Sequence, residues 1–157
     1  MLLPFFEWCE ATTLGVVIRE SLWLFPVIEA LHLLALATIG GAVLIVDLRL
    51  LGFGLRSQPI IKVAQEARPW LLGSLSAILL TGVMLFVSEA LKCYYNPAFW
   101  FKMGSLALAI LFTSTVHRTA VLSEDTESRP VQARLVAVVS VLLWTGVGVG
   151  GTAIGFY

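Results

Sequence analysis

Charged residues are scarce in this chain of 157 residues. Asp, Glu, Lys and Arg make up 13% of it and 59% is apolar, whereas a soluble globular domain has about 25% charged residues. A disordered chain needs low hydropathy and high charge, so disorder is excluded. The mean hydropathy of +0.93 also argues against a soluble enzyme. The composition therefore predicts an integral membrane protein.

Neither sign of charge is in excess, because ten basic residues balance ten acidic ones. Without a basic surface, nucleic acid is not an expected partner. Cysteine is also rare, since only Cys9 and Cys93 are present, too few for a disulfide framework. We expect both to be lipid-facing or buried thiols and not a disulfide.

Long apolar runs are abundant, and four of them reach the length of about 20 residues that a membrane-spanning helix needs. They lie at about residues 22–46, 69–88, 99–117 and 135–157. Alternation of period two is absent, and a backbone in lipid must satisfy its own hydrogen bonds, so the spans should be helices. Short connections then predict an all-α, integral membrane four-helix up-down bundle, one transmembrane domain over residues 1–157. The lipid bilayer is its first partner.

The segment 1–20 has no basic start and is therefore not a signal peptide. Apolar residues recur in it at three- and four-residue spacing, which predicts a short amphipathic helix in the membrane interface. We expect Pro26 to mark a kink or break before the first span, and residues 50–68 to be a loop with a surface helix around Ile60. The residues of the apolar face are Phe5, Trp8, Cys9, Thr12 and Val16.

Lysine and arginine are unevenly divided between the two sides of the predicted bundle. Seven lie between the first and second spans and between the third and fourth, and three lie on the other side. The side with seven should be cytoplasmic, so both termini are expected to be periplasmic. Residues 123–130 are then a solvated cytoplasmic loop. The expected outer aromatic belt consists of Trp23, Tyr94, Tyr95, Trp100 and Tyr157.

Small residues recur four apart in the last span, where Gly146 and Gly150 form one pair and Gly151 and Gly155 another. Such pairs permit close approach of helices in lipid, where no hydrophobic force drives association. Two such faces on one helix allow a second partner. We therefore expect a homo-oligomer or a complex with another membrane subunit.

Ionisable residues within the first span are the principal functional candidates, because their insertion is expensive. Glu29 and His32 are three residues apart, and Asp47 is five turns further on, so we expect one polar stripe that faces the bundle interior. His32 has three interpretations. It fixes packing by a hydrogen bond to Glu29 or to a hydroxyl such as Thr81 or Ser76, it is an axial ligand to a b-type haem, or it forms a proton or ion relay with Glu29.

The only other histidine, His117, lies near the cytoplasmic end of the third span, as a snorkelling interfacial residue or as a second ligand. Its depth differs from that of His32 by about 16 Å, a large difference for two ligands of one haem. Lys102 differs from His32 by only about 6 Å, within reach of its side chain. The candidate cofactor-binding residues are thus His32, His117, Lys102 and Glu29, with His32 the candidate metal ligand.

The string IRESLWLFPVIEALHLLALATIGGAVLIVDLRLLGFG, with NPAFWFKM and VHR, resembles a bacterial domain-of-unknown-function family of four-helix inner-membrane proteins. That resemblance implies the fold and the bacterial inner membrane but no activity. More distantly, a first-helix histidine followed by glycine and an Asp-Leu-Arg end is similar to copper-resistance D-type and HemJ-type membrane proteins. These more distant similarities imply haem or copper chemistry, and the HemJ-type similarity implies a helix-one histidine and a lysine, which correspond here to His32 and Lys102.

No zinc-ligand spacing, nucleophile elbow or phosphate loop is present, so the sequence leaves open whether the protein is an enzyme. The leading hypothesis is a small membrane subunit that binds haem b and either transfers electrons or is an accessory part of a membrane redox assembly. The alternatives are a non-catalytic scaffold or assembly subunit and a proton or metal-ion conduit.

Overall fold

The computed structural model describes residues 2–54, 57–123 and 130–156, and within these ranges it is almost entirely helical with no strand. This confirms the all-α prediction. Tyr157 and most of the predicted loop at 123–130 lie outside the described residues. The elements are α1 (Leu3–Glu10), α2 (Thr13–Glu20), α3 (Leu24–Leu51), α4 (Ile60–Ser88), α5 (Ala90–Tyr95), α6 (Pro97–Phe112), a π-helical turn (Thr113–His117), α7 (Arg118–Leu122), α8 (Pro130–Ala153) and a final 3₁₀ turn (Ile154–Phe156).

Four helical segments are long and apolar enough to cross a membrane: α3, α4, the continuous run Pro97–Leu122, and Pro130–Phe156. The protein is therefore a multi-pass membrane protein. We call the end of the bundle where α3 and α6 begin the upper end, and the end where α3 stops and α4 starts the lower end. Helix α3 packs against both α4 and α8, and α8 packs against α6.

The helix that contains the second predicted span begins at Ile60, so the expected surface helix is continuous with it as the first part of α4. The reason is that Ile60, Val63 and Ala67 recur at helical spacing and are buried in an apolar cluster at the lower end. Pro69 lies inside α4, where neighbouring helices make a missing N–H tolerable. A hydropathy window starts the span too late because it averages in the charged residues between these positions.

The N-terminal segment forms two short helices and not the single one predicted. Thr12 lies between α1 and α2 and bonds to both helices. Its Oγ1 donates to the Cys9 carbonyl oxygen of α1 at 2.7 Å, and the same atom caps α2 by accepting from the Gly15 N–H at 3.2 Å. The buried residues of α1 are Phe6 and Cys9, so the predicted face was only partly right. The break before α3 lies at residues 21–23, and Pro26 sits in the first turn of α3, where no helical hydrogen bond is lost.

An aromatic cluster joins α1 to the upper end of the bundle. The Phe6 ring lies 5.3 Å from that of Phe86 and 5.1 Å from that of Tyr94, measured between centroids. Trp23 and Tyr95 at the same end are exposed, as an aromatic belt requires. This cluster fixes α1 and α5 over the ends of the spans.

The first small-residue pair of α8 packs within the chain. A Cβ built on Gly146 would lie 3.3 Å from Ser105 Oγ, and one on Gly150 would lie 3.1 Å from Lys102 Cα. Both glycines therefore allow α8 to approach α6 closely. Helix α6 is held there with Lys102 directed at the interior of the bundle.

Candidate functional site

His32 lies on the interior face of α3 with Ile28, Ala35 and Ile39, and its side chain is buried. Its Nδ1 is 2.8 Å from Thr81 Oγ1 on α4. The Thr81 hydroxyl donates its proton to the Ala77 carbonyl oxygen at 2.6 Å, so Oγ1 can only accept from the imidazole. Nδ1 therefore carries the His32 proton, and Nε2 presents a lone pair.

Lys102 of α6 supplies the second nitrogen of the site. Its Nζ lies 3.3 Å from His32 Nε2, so the structure brings together the two residues whose depths matched in the sequence. Within the described ranges, no carboxylate lies within ion-pair distance of this lysine. Two basic nitrogen atoms thus face each other in an apolar bundle without an acidic partner.

Glycines on the other two spans give these side chains room. A Cβ on Gly82 of α4 would lie 3.4 Å from His32 Cε1, and one on Gly151 of α8 would lie 3.6 Å from Lys102 Nζ. All four spans therefore meet at the His32–Lys102 pair. We call this group, His32, Thr81, Gly82, Lys102 and Gly151, the upper polar site.

Glu29 does not belong to the upper polar site, contrary to the expected polar stripe. It is exposed, whereas Ile28 beside it is buried. The buried face of α3 runs through Ile28 and His32, and Glu29 is turned about 100° away from Ile28 along the helix. It lies in the second turn of α3, and its exposed side chain is not part of the buried group that His32 forms with Thr81 and Lys102.

His117 is buried and not a snorkelling residue. Its Nε2 lies 2.8 Å from Asp47 Oδ1, and Asp47 is fully buried. The pair is 15 residues below His32 and Lys102 on the same two helices, a vertical distance of about 22 Å. His117 is therefore far from His32, as the depth argument predicted. We call Asp47 and His117 the lower polar site.

The contact between Asp47 and His117 was missed in the sequence, although a numerical signal existed. Both polar pairs are separated by 70 residues along the chain. Helices α3 and α6 run in the same direction. If one residue of α3 lies level with the residue 70 positions later in the chain, other pairs with the same separation lie level with each other as well. The third span contains a π-helical turn at Thr113–His117, which ends at His117. Such turns are frequent at functional sites.

Both cysteines are buried free thiols, as predicted. Burial, with the neighbouring Glu89 carboxylate, raises the pKa of the Cys93 thiol to about 11. Cys93 is thus a neutral thiol at physiological pH. In the described part of the chain, no three His, Cys, Asp or Glu side chains converge on a point where they could hold a metal ion, so a metal at the upper polar site would need the Lys102 amine as a ligand.

Comparison with protein families gives one finding. The model of a family described as "Family of unknown function (DUF6644)" matches residues 5–157. Comparison with curated proteins and with solved structures gives no match. The family match covers nearly the whole chain, from α1 to the end of the fourth span. The protein therefore belongs to the DUF6644 family, whose function is unknown.

Proposed function

We propose that this membrane protein is a haem-b subunit that holds the haem iron at the upper polar site and either transfers electrons or is an accessory part of a membrane redox assembly. The observation that supports the proposal is the opposition of His32 Nε2 and Lys102 Nζ at 3.3 Å. Both atoms are neutral-nitrogen donors when the amine is deprotonated, and neither is paired with an acid. Haem iron is commonly held by histidine nitrogen, and helix bundles build cofactor sites from side chains on facing helices.

The donor chemistry of the site fits a six-coordinate iron. His32 Nε2 and Lys102 Nζ, which lie 3.3 Å apart, are the two atoms that would hold the iron. The Thr81 hydroxyl fixes the imidazole orientation and leaves the lone pair at Nε2, where it accepts from Lys102 Nζ in this structure; partners of metal-ligating histidines orient the ring in the same way. A bound haem b supplies one-electron chemistry.

The protein's own residues then have distinct roles. His32 binds through Nε2, and Thr81 orients it. Lys102 would bind through Nζ as a neutral amine, and among the described residues no carboxylate lies within ion-pair distance to compete for it. Gly82 and Gly151 keep the α4 and α8 backbones close to both ligands.

A visible absorption spectrum of the purified protein, oxidised and reduced, tests the proposal after expression with an ample haem supply. We expect a Soret band and a reduced α band in the wild type. His32→Leu should lower haem content at least tenfold while it preserves folding, because leucine refills the volume without a ligand. Lys102→Leu should change the spectrum of any haem that remains.

Glu29→Gln is the matched control, since Glu29 is an exposed polar residue one turn from His32 on the same helix. It should retain the wild-type spectrum and elution volume. Absence of any Soret band in haem-supplied wild type would overturn the proposal. The His32–Thr81–Lys102 contacts would then be a packing device, as expected of a scaffold or assembly subunit.

We further propose that the protein lies in the bacterial inner membrane with both termini in the periplasm, and that it associates with a second copy or another membrane subunit. The uneven division of Lys and Arg supports the orientation. Gly73 of α4 and Gly155 after α8 support the association, because a Cβ on either would meet nothing within 4 Å. Such open small-residue positions allow another helix to approach.

A further inference from the structure

We propose that Asp47 and His117 of the lower polar site bind a proton, with Asp47 Oδ2 as the atom that takes it up. Asp47 is 0% exposed and its Oδ1 accepts from His117 Nε2 at 2.8 Å, whereas its Oδ2 has no hydrogen-bond partner among the residues that the structure describes. A buried polar atom left unpaired costs about 1–3 kcal/mol, more for a charged group. The orphaned oxygen therefore identifies a position that a ligand would stabilise.

The ligand that fits is a proton. A metal ion would need several more donors, and within the described residues no third His, Cys, Asp or Glu joins the pair. A proton needs no cavity and no additional ligand. Because Oδ1 alone contacts His117, a proton can bind Oδ2 while the hydrogen bond between the two side chains remains intact.

His117 is the more accessible member of the pair. Its side chain is 8% exposed, against 0% for Asp47. A proton can therefore reach the pair on the side of His117 and bind Asp47 Oδ2, which leaves the Nε2–H···Oδ1 hydrogen bond in place.

Among the described residues, the other charged side chains on the elements around the pair, at the lower end of the bundle, are Arg49 and five exposed residues. Arg49 of α3 is directed to the Gln58 carbonyl oxygen at 2.9 Å. The remaining charged side chains on these elements are exposed. The exposed residues are Lys62, Glu66 and Arg68 on α4, Arg118 on α7 and Arg134 on α8.

Infrared difference spectroscopy of the reconstituted protein between neutral and acidic pH tests the carboxyl. We expect the carbonyl stretch of a protonated, weakly hydrogen-bonded carboxylic acid to appear on acidification in the wild type and to be absent from Asp47→Asn. Glu66→Gln is the matched control, because it removes an exposed carboxylate near the same end of the bundle, and it should keep the band. A difference spectrum unchanged by Asp47→Asn would overturn the proposal.

The histidine provides a readout that leaves the pair itself intact. Since His32 and His117 are the only histidines, His32→Phe leaves one imidazole for ¹⁵N-histidine NMR, in a protein that has lost the proposed haem ligand. We expect the His117 ring and the Asp47 carboxyl band to titrate with the same midpoints. Asp47→Asn should change the proton affinity of His117 by about tenfold or more, one pH unit.

The opposite NMR result is also clear. A His117 that titrates as an isolated imidazole, with a midpoint that Asp47→Asn does not alter, would exclude a coupled proton site. If Asp47→Asn does not fold, the test is made in His32→Phe alone, by comparing the midpoint of the Asp47 carboxyl band with that of the His117 ring. Unequal midpoints would overturn the proposal. Neither result depends on whether the upper polar site binds haem.

Discussion

At the scale of single residues, Thr81 decides what His32 can do. Its hydroxyl proton is engaged by the Ala77 carbonyl oxygen, so its oxygen accepts from Nδ1 and the imidazole lone pair is left at Nε2. A hydroxyl of helix α4 thus sets the chemistry of a side chain on α3. The same bond would serve a packing role, but only this tautomer directs the lone pair towards Lys102.

Thr81→Val should therefore impair the upper polar site without changing its volume. The His32 N–H loses its acceptor, and we expect the free energy of unfolding to fall by about 1–3 kcal/mol. Haem content, where haem binds, should fall as well. Unfolding by denaturing detergent, followed by circular dichroism, measures the first effect. Thr81→Ser keeps the acceptor and should match the wild type; equal stability of the valine and serine variants would contradict this role of Thr81.

Cys93 should react with iodoacetamide only at high pH. Its thiol pKa of about 11 leaves roughly one thousandth of the residue as thiolate at pH 8, and the thiolate is the nucleophile. The alkylation rate should rise about tenfold per pH unit up to pH 11. Because the folded thiol keeps its proton above the pKa of 9.0 of an ordinary thiol, the free energy of unfolding should fall between pH 9 and 11.

Mass spectrometry of Cys9→Ser isolates this reaction, since Cys93 is then the only cysteine. Rapid alkylation of native Cys93 at pH 8 would show that the burial inferred from the structure is wrong. Addition of denaturant at the same pH should release the reaction, because burial is the first cause of the high pKa.

At the scale of elements, the N-terminal helices are fastened to the upper end of α4 by backbone proximity and charge. A Cβ on Gly15 of α2 would overlap the Val87 backbone carbonyl. Arg19 Nη1 donates to the Ser88 carbonyl oxygen and contacts Glu10 Oε1, both at 3.1 Å. Glu10 Oε2 also accepts from the Leu91 N–H at 2.6 Å. These contacts make α1 and α2 part of the folded unit.

Gly15→Ala should loosen α2 from α4. The clash is with backbone and not with a flexible side chain, and overpacking of this kind costs about 1–3 kcal/mol. Limited proteolysis of the N-terminal segment, together with detergent unfolding, measures the change. Gly104→Ala on α6 is the control, because a Cβ there meets nothing within 4 Å and alanine favours the helix. Equal protease resistance of the two variants would rule out the close approach.

At the scale of the whole molecule, the two polar sites occupy opposite halves of one bundle. His32 with Lys102 and Asp47 with His117 lie on the same pair of helices, about 22 Å apart. Between them lies an apolar cluster that contains Ile39, Val43, Leu106 and Trp144. No polar chain of described side chains connects the two sites, so each can be tested by itself.

The orientation of the bundle can be tested with single cysteines in a background of Cys9→Ser and Cys93→Ser. Ser123 follows α7 at the lower end, and Ser21 precedes α3 at the upper end. We expect an impermeant maleimide applied from the periplasm to label Ser21→Cys and not Ser123→Cys, because the lower end carries most of the Lys and Arg. The reverse pattern would invert the topology.

Membrane location and the four spans were predictable from the sequence, because a bilayer imposes a minimum apolar length that can be counted along the chain. Span boundaries were less predictable. The lower part of α4 mixes buried Ile60, Val63 and Ala67 with charged residues, and only packing against neighbouring helices shows which of these belong to the span. The break at Thr12 likewise depends on a side-chain cap that periodicity does not reveal.

The level of each candidate site residue along the bundle could be predicted from the sequence, since the rise per residue is constant along a helix. The sequence therefore matched His32 with Lys102 and separated His32 from His117. Rotation about the helix axis was decided only by the tertiary structure. The packing of α3 against α4 and α8 turned Glu29 outward, and the burial of Asp47 and His117 at one level of the bundle brought them into contact. The packing contacts that set these rotations come from residues distant in the chain, so the sequence of one helix does not determine them.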